Sequence, residues 1–330
     1  MITKIERRLL GASNNASFPT VWEDLDPVQF VTAICILLEF KAGKFGIREL
    51  QLRLFTELSN INSRRILRKD YEWFEKEIFK NLDKMNFCLK FVYDDPRFKN
   101  LDPKMQARLK KINPETIKGE PEAAIASKFK RTIEIDAVIC RQLIPNIYVG
   151  LKKFPGYRFE KHGDIVETSI TAEQYIDALT IISLTAQEKT EEYIDLLIST
   201  LYCPGKYSSA VAKANMGLFR LLNPAIKYAI LFNFESILSW FTNETKYGIL
   251  FRKGKKSDKV SLGFNSVIYS MTEKGYGNIK EVSELNLIDF LELMYKNLVD
   301  SIIQLSESKV ENSEIAKKLS LTIDQVNQFV

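Results

Sequence analysis

"DPVQFVTAICILLEFKAGKFGIRELQLRLFTEL", residues 26–58, encodes two helices and the break between them. Asp26 reads as an N-cap carboxylate, and Pro27 fills the first helical position, where its missing N–H costs nothing. Gln29, three residues past the cap, can reach back to close a capping box. Leu25, just outside, is placed to staple onto the first turn. Phe30, Ala33, Ile34 and Leu37 then recur at helical spacing and make one apolar stripe. "KAGKFG" (41–46) interrupts it with Gly43 and Gly46, which tolerate the left-handed backbone of a helix end. Ile47, Leu50, Leu54 and Leu58 share one face of a second helix. The stretch predicts an αα-hairpin.

The same helix start returns near residue 171, where Thr171-Ala172-Glu173-Gln174 is again a capping box. Aligned on the glutamine, "QFVTAICILLEF" and "QYIDALTIISLT" match without a gap: aromatic, β-branched, variable, Ala, apolar. Each meets a polar break, and each second helix ends near Leu58 or Leu201. Two similar hairpins thus lie about 145 residues apart. Convergent helix-start chemistry explains most of the match, with gene duplication as the alternative. A third box stands at Thr322-Ile323-Asp324-Gln325.

Other segments fill in a mainly α protein. Residues 63–85 predict a charged amphipathic helix with Trp73 and Phe74 as core anchors, and "FCLKFVY" (87–93) predicts a strand. Pro96, Pro103, Pro114 and Pro121 mark 94–127 as loop or linker. "IDAVICRQLIPNIYVGL" (135–151) reads as a buried helix ending near Pro145. "YRFEKHGDIVETSI" (157–170) reads as a β-hairpin turning at His162-Gly163. The apolar stretch 207–241 supplies a core; within it "AIKYAILFNFESILSWF", though interrupted by Lys227, Asn233 and Glu235, predicts a core helix. A polar loop at 247–264 and helices at 264–275 and 285–306 follow. The expected fold is mainly α, helical hairpins with a few short β-hairpins. Its expected parts are a basic helical subdomain (1–110), a mainly helical core domain with a β-hairpin (111–306) and a helix-turn-helix-like tail (307–330).

Composition narrows the function classes. With 45% apolar and 27% charged residues, the 330-residue chain is ordinary for a folded globular protein. Residues 1–130 hold 24 Lys+Arg against 18 Asp+Glu, whereas the remainder is nearly balanced, so the basic excess sits in the N-terminal part. Cys35, Cys88, Cys140 and Cys203 stand more than 50 residues apart, with no CxxC, which predicts buried free thiols in a reducing compartment. "MITKIERRLLGAS" has no signal-peptide core, and no run approaches the ~18–20 apolar residues of a membrane span. The single histidine, His162, is expected on a surface turn with no partner for acid–base work. No Walker loop, Rossmann fingerprint or HExxH is present. Asp94-Asp95 before Pro96 reads as a turn rather than a cation site. The expectation is therefore no enzyme, no cofactor and no metal.

Basic clusters stand at Arg64, Arg65, Arg68, Lys69; at Lys110, Lys111; at Lys128, Lys130, Arg131; and at Arg252, Lys253, Lys255, Lys256. The first and last are the candidate interface. Nucleic-acid binding through such groups needs them to coincide in space, with aromatic rings for stacking. In the tail, Ala316, Leu319, Ile323 and Val326 occupy the core positions of a helix-turn-helix. Its second helix, however, carries Asp324 and no Lys or Arg, which favours a docking tail over a DNA reader.

One resemblance bears on function. "FPTVWEDLDPVQF" (18–30), through Phe18, Pro19, Trp22, Glu23, Leu25, Gln29 and Phe30, resembles the start of assembly and virion structural proteins of tailed phages infecting Bacteroidota, crAss-like phages among them. "TAEQYIDA…LLISTLYCP", through Gln174, Tyr175, Leu201, Tyr202 and Pro204, looks like a companion segment. "GYGNIKEVSELNLIDFLELM" (275–294) is similar to their closing helical region. The resemblance covers about a third of the chain and implies a tail, head–tail connector or packaged component. Its implied partners are other phage proteins, with no membrane, and its implied location is the virion or the host cytoplasm during assembly. A nucleic-acid-binding regulator is the alternative.

Overall fold

The computed structural model describes residues 2–9, 12–59, 82–110, 121–188, 190–251 and 265–330. It is mainly α-helical, with four two-stranded antiparallel sheets among the described residues. The chain forms two compact units, 1–137 and 138–330. The division falls at 137/138 rather than 110/111 because a long-range strand pair holds residues 131–135 in the first unit. The tail 307–330 belongs to the second unit and is not a separate one.

In the first unit, β1 (Ile2–Leu9) pairs with β2 (Ala12–Pro19), a hairpin that the sequence reading did not anticipate. A 3₁₀ turn, Trp22–Asp24, leads to α1 (Pro27–Lys41), and α2 (Ile47–Leu58) returns against it. Asp26 caps α1 as expected. Its carboxylate accepts from the N–H groups of Val28 and Gln29, both at 2.8 Å, and the Asp26 N–H donates to Gln29 Oε1 at 3.1 Å. Gly43 takes φ +73° in the connection. Phe30, Ala33, Ile34, Leu37, Leu50, Leu54 and Leu58 are all buried between the helices. A 3₁₀ segment, Leu82–Cys88, runs into β3 (Leu89–Tyr93), which pairs with β4 (Arg131–Ile135). Between them lie α3 (Pro96–Lys99), α4 (Pro103–Leu109) and α5 (Pro121–Ala126), so much of the expected linker is short helix. Proline opens each one, and Asp95 and Asp102 cap the first two.

The second unit corrects one expectation. No helix forms over 136–145; the chain is irregular there and continues into β5 (Asn146–Val149), paired with β6 (Lys152–Pro155). The backbone groups that a helix would satisfy are satisfied elsewhere. Leu143 N–H donates to Asn233 Oδ1 at 2.8 Å, Asn233 Nδ2 donates to the Arg141 carbonyl at 2.9 Å, and Gln142 N–H donates to the Phe159 carbonyl at 2.9 Å. β7 (Phe159–His162) and β8 (Ile165–Thr168) make the expected hairpin, with Gly163 at φ +61° in its turn.

The second hairpin consists of α6 (Ala172–Glu188) and α7 (Glu191–Leu201), followed by α8 (Ser209–Asn215) and a 3₁₀ helix, Met216–Leu221. The core helix is α9 (Pro224–Glu244), with Phe234, Ile237, Trp240 and Phe241 buried. Phe159 meets Trp240 and Phe241 edge-on at 6.0 and 5.5 Å. After α10 (Gly248–Phe251) come α11 (Asn265–Glu273), α12 (Ile279–Ser283) and α13 (Leu287–Glu307), which pack on Ala172 and Ile176 through Met271, Val282 and Phe290. The tail is α14 (Asn312–Leu319), Ser320 at φ +57°, and α15 (Ile323–Val326), with the third capping box formed.

The two hairpins share a fastening. Gln29 Nε2 donates to the Leu58 carbonyl at 2.8 Å, and Gln174 Nε2 donates to the Thr200 carbonyl at 2.7 Å. Each amide joins the start of the first helix to the end of the second, where helical carbonyls have no partner within the helix. Gln174→Ala removes a buried bond and orphans a carbonyl, so it is expected to cost about 1–3 kcal/mol. Gln29, half-buried, should cost less. Urea denaturation checks both, and equal small losses would refute the clasp.

Candidate functional site

The eight candidate interface residues, Arg64, Arg65, Arg68, Lys69, Arg252, Lys253, Lys255 and Lys256, all lie outside the described residues, as do Lys111, Trp73 and Phe74. Lys110 and the cluster Lys128, Lys130, Arg131 are described, and the fold of the first unit sets both beside β3. Lys110 ends α4, where its carbonyl accepts from Phe91 N–H at 3.0 Å, and Arg131 opens β4 opposite Tyr93. Lys110, Lys128 and Lys130 are exposed. The nearby rings are engaged with one another: Tyr93 stacks on Phe98 at 4.1 Å, and Phe129 meets them edge-on at 6.2 and 5.6 Å. Tyr93 and Phe98 are buried, so they serve as core under the charges rather than as platforms for bases.

Asp95 is an N-cap and ion-pair residue here. It accepts from Arg97 N–H at 3.0 Å and pairs with the Arg97 guanidinium at 2.7 Å. That guanidinium hydrogen bond, followed by the backbone one, holds the Asp95 carboxyl down at about 2. Its folded value is depressed, so the contribution of the cap is present above the ordinary carboxylate range and is lost as pH falls towards 2. An NMR titration should show Asp95 protonating below the ordinary carboxylate range, and Arg97→Ala should raise it part of the way back, since the backbone N–H of residue 97 remains.

Two depressions mark the second unit. A cleft of about 330 Å³ is lined by Lys161, Asp164, Trp240, Glu244, Lys246 and Tyr247. Lys161 Nζ stands 5.6 Å from the Trp240 ring centre, and Lys246 pairs with Glu292 at 2.7 Å. Burial, and then the hydrogen bond to Glu292, raise the Tyr247 phenol, while Lys246 lowers the Glu292 carboxyl. A smaller pocket of about 190 Å³ holds Tyr207, whose hydroxyl donates to Asp177 at 2.6 Å; burial and Asp177 raise its pKa. Burial, with Asp177 and Glu284 nearby, raises the Glu173 carboxyl.

His162 lies on the expected turn, largely exposed, with Glu160 at 3.3 Å. The four cysteines are free, but only Cys88 is fully buried, and desolvation pushes its thiol up to about 12. Among the described residues, no group of three or more His, Cys, Asp or Glu side chains is placed to hold a metal. None of the described helices is long and apolar enough to cross a membrane.

One surface feature escaped the sequence reading. Leu151 and Leu221 are exposed, at 105% and 83%, and Tyr148 at 61%. They lie on the β5–β6 hairpin and the 3₁₀ helix Met216–Leu221, elements that touch each other. Hydrophobic side chains exposed singly are unremarkable, whereas these three stand on adjoining elements. Sequence periodicity tells that these positions are apolar, not which of them the fold leaves uncovered.

These features define a two-unit, mainly α protein with clasped helical hairpins and an apolar surface on the second unit. Comparison with protein-family models, with curated proteins and with solved structures gave no match.

Proposed function

We propose that this protein is a non-enzymatic structural or assembly component of a tailed-phage particle (tail, head–tail connector or packaged virion protein), acting through protein–protein contacts. One observation carries the reading: eight of the residues of the phage resemblance are joints of the fold. Trp22, Leu25, Phe30, Tyr175, Leu201 and Tyr202 are buried, and Gln29 and Gln174 supply the matching clasps. Joints of this kind stiffen each hairpin before it meets anything. A preorganised surface loses less conformational entropy on binding, which suits a component that must assemble in one geometry.

The test is the genetic and particle context. Reading frames for portal, capsid or tail proteins should flank the coding sequence, and mass spectrometry of purified particles or assembly intermediates should find the chain. Neighbours confined to metabolism, with no particle association, would refute it.

A second reading, nucleic-acid binding, has one observation in its favour. α14 and α15 flank a left-handed turn and share a small core with α13, made by Ile302, Ile315, Ala316 and Val326. That resembles a helix-turn-helix in outline, but Ile323, expected in its core, is 51% exposed, and α15 is only four residues long. Asp324, Asn327 and Gln328 are the exposed polar groups around the second helix, so the surface there is not basic. Salt-dependent binding to duplex DNA, lost on deleting 308–330, would favour this reading over the first.

A further inference from the structure

A 3₁₀ helix repeats every three residues, so side chains at i and i+3 stand in one row. In Met216–Leu221 and its cap Leu222, this rule sorts the apolar residues into two rows. Phe219 and Leu222 make the inner row, 0% and 7% exposed, with Phe219 against Phe154 at 5.0 Å. Leu218 and Leu221 make a second row, 39% and 83% exposed. The adjoining hairpin divides in the same way. Ile147 and Phe154, directly opposite in register, face inward, whereas Tyr148, opposite Lys153, is exposed and Leu151 stands out at the turn. Both elements are well anchored by their inner rows, so the outer apolar rows are held in place rather than left by loose packing.

The hairpin and the segment around the 3₁₀ helix themselves carry charge of one sign. Residues 146–155 and 209–222 carry Lys152, Lys153, Lys213 and Arg220, and no Asp or Glu. On the neighbouring α7, Glu192 stands 3.4 Å from Arg220 and offsets that cation, which leaves Lys152, Lys153 and Lys213 as the cations on these segments. Lys152 Nζ lies 4.9 Å from the Phe154 ring centre, so its cation stands beside the hairpin's apolar side chains.

We propose that this surface docks a segment of a partner protein whose apolar side chains are flanked by carboxylates. The inference rests on the reading of a protein-contact component and adds to it the surface and the chemistry of the partner. Apolar burial at the centre supplies the affinity, and the surrounding cations select the acidic flanks and reject basic ones.

A peptide array tests it with the full-length protein. Leucine-bearing cores are flanked by glutamates, by glutamines or by lysines, and vesicles of phosphatidylglycerol and duplex DNA are run in parallel. The glutamate-flanked peptides should bind best and the lysine-flanked ones worst. Leu218→Asp combined with Leu221→Asp should weaken binding roughly tenfold or more, since each exposed leucine contributes on the order of one side-chain transfer free energy when covered. Circular dichroism and melting should be unchanged, because the inner row is untouched. Lys152→Glu with Lys153→Glu should erase the preference for acidic flanks. Equal binding of the three series, no binding at all, or wild-type binding by the leucine variant would overturn the proposal. Binding to vesicles or DNA that the same variants abolish, without peptide selection, would reassign the surface to lipid or nucleic acid. The array needs no particle, so its failure leaves the phage reading to its own test, and a non-phage gene context leaves the array result standing.

Discussion

Asp195→Ala is expected to lower the stability of the second unit by about 3–5 kcal/mol, enough to unfold a marginal domain. Asp195 on α7 and Lys227 on α9 form an ion pair at 2.5 Å, with side chains only 4% and 9% exposed. Two charges have been taken out of water there, and each is tolerable because the other is present. Alanine leaves the Lys227 ammonium buried without its counter-charge. The diagnostic comparison is the double change Asp195→Leu with Lys227→Met, which removes both charges and keeps the volume. It should lie far closer to wild type than the single change, and can exceed wild type by about 1–4 kcal/mol. Urea denaturation followed by near-UV dichroism reads both variants. A single-variant loss below about 1 kcal/mol, the value of an exposed pair, would show that the pair is hydrated in solution.

Local chemistry made the hairpins legible in the sequence. Asp26, Pro27 and Gln29 act within one helical turn, and helical spacing in Phe30–Leu37 needs no knowledge of the partner helix. Non-local satisfaction hid the rest. Residues 136–145 are apolar enough for a buried helix, yet their backbone groups bond to Asn233, some 90 residues away, and to Phe159. The β1–β2 hairpin was missed because "ITKIERRL" lacks the alternation of a half-buried strand. In the apolar run 207–241, Lys227 looked like an interruption of a core helix, and nothing local named Asp195 as its partner. The outer row of Leu218 and Leu221 was equally hidden, since one tertiary contact, Phe219 on Phe154, decides which row faces inward. The candidate interface in 64–69 and 252–256 was drawn from charge runs, and charge runs report solvation rather than a partner.

Trp22→Ala should be comparably damaging to the first unit. Trp22 is 3% exposed, edge-on to Phe30 at 5.9 Å and to Phe87 at 5.4 Å, and its indole N–H donates to the Asp136 carbonyl at 2.8 Å. That one side chain gathers the start of α1, the segment before β3 and the end of β4, joining positions 114 residues apart. Truncation opens a cavity that the surrounding rings can only partly fill, at a cost of about 3–5 kcal/mol. Trp22→Phe separates the two contributions. It keeps a ring against Phe30 and Phe87 but loses the donor, so about 1–3 kcal/mol should go with the lost indole hydrogen bond together with some lost packing. Hydrogen exchange read by mass spectrometry can follow this unit by itself. Protection should fall across 27–58 and 89–93 in the alanine variant and far less in the phenylalanine one, whereas 224–244 serves as the reference segment in the other unit. Equal, small losses in the two variants would mean that the ring is a bystander and that the capped helix start holds α1 without it. The opposite outcome gives the stretch 18–30 a mechanical role: the tryptophan would be the pin on which the first hairpin is set.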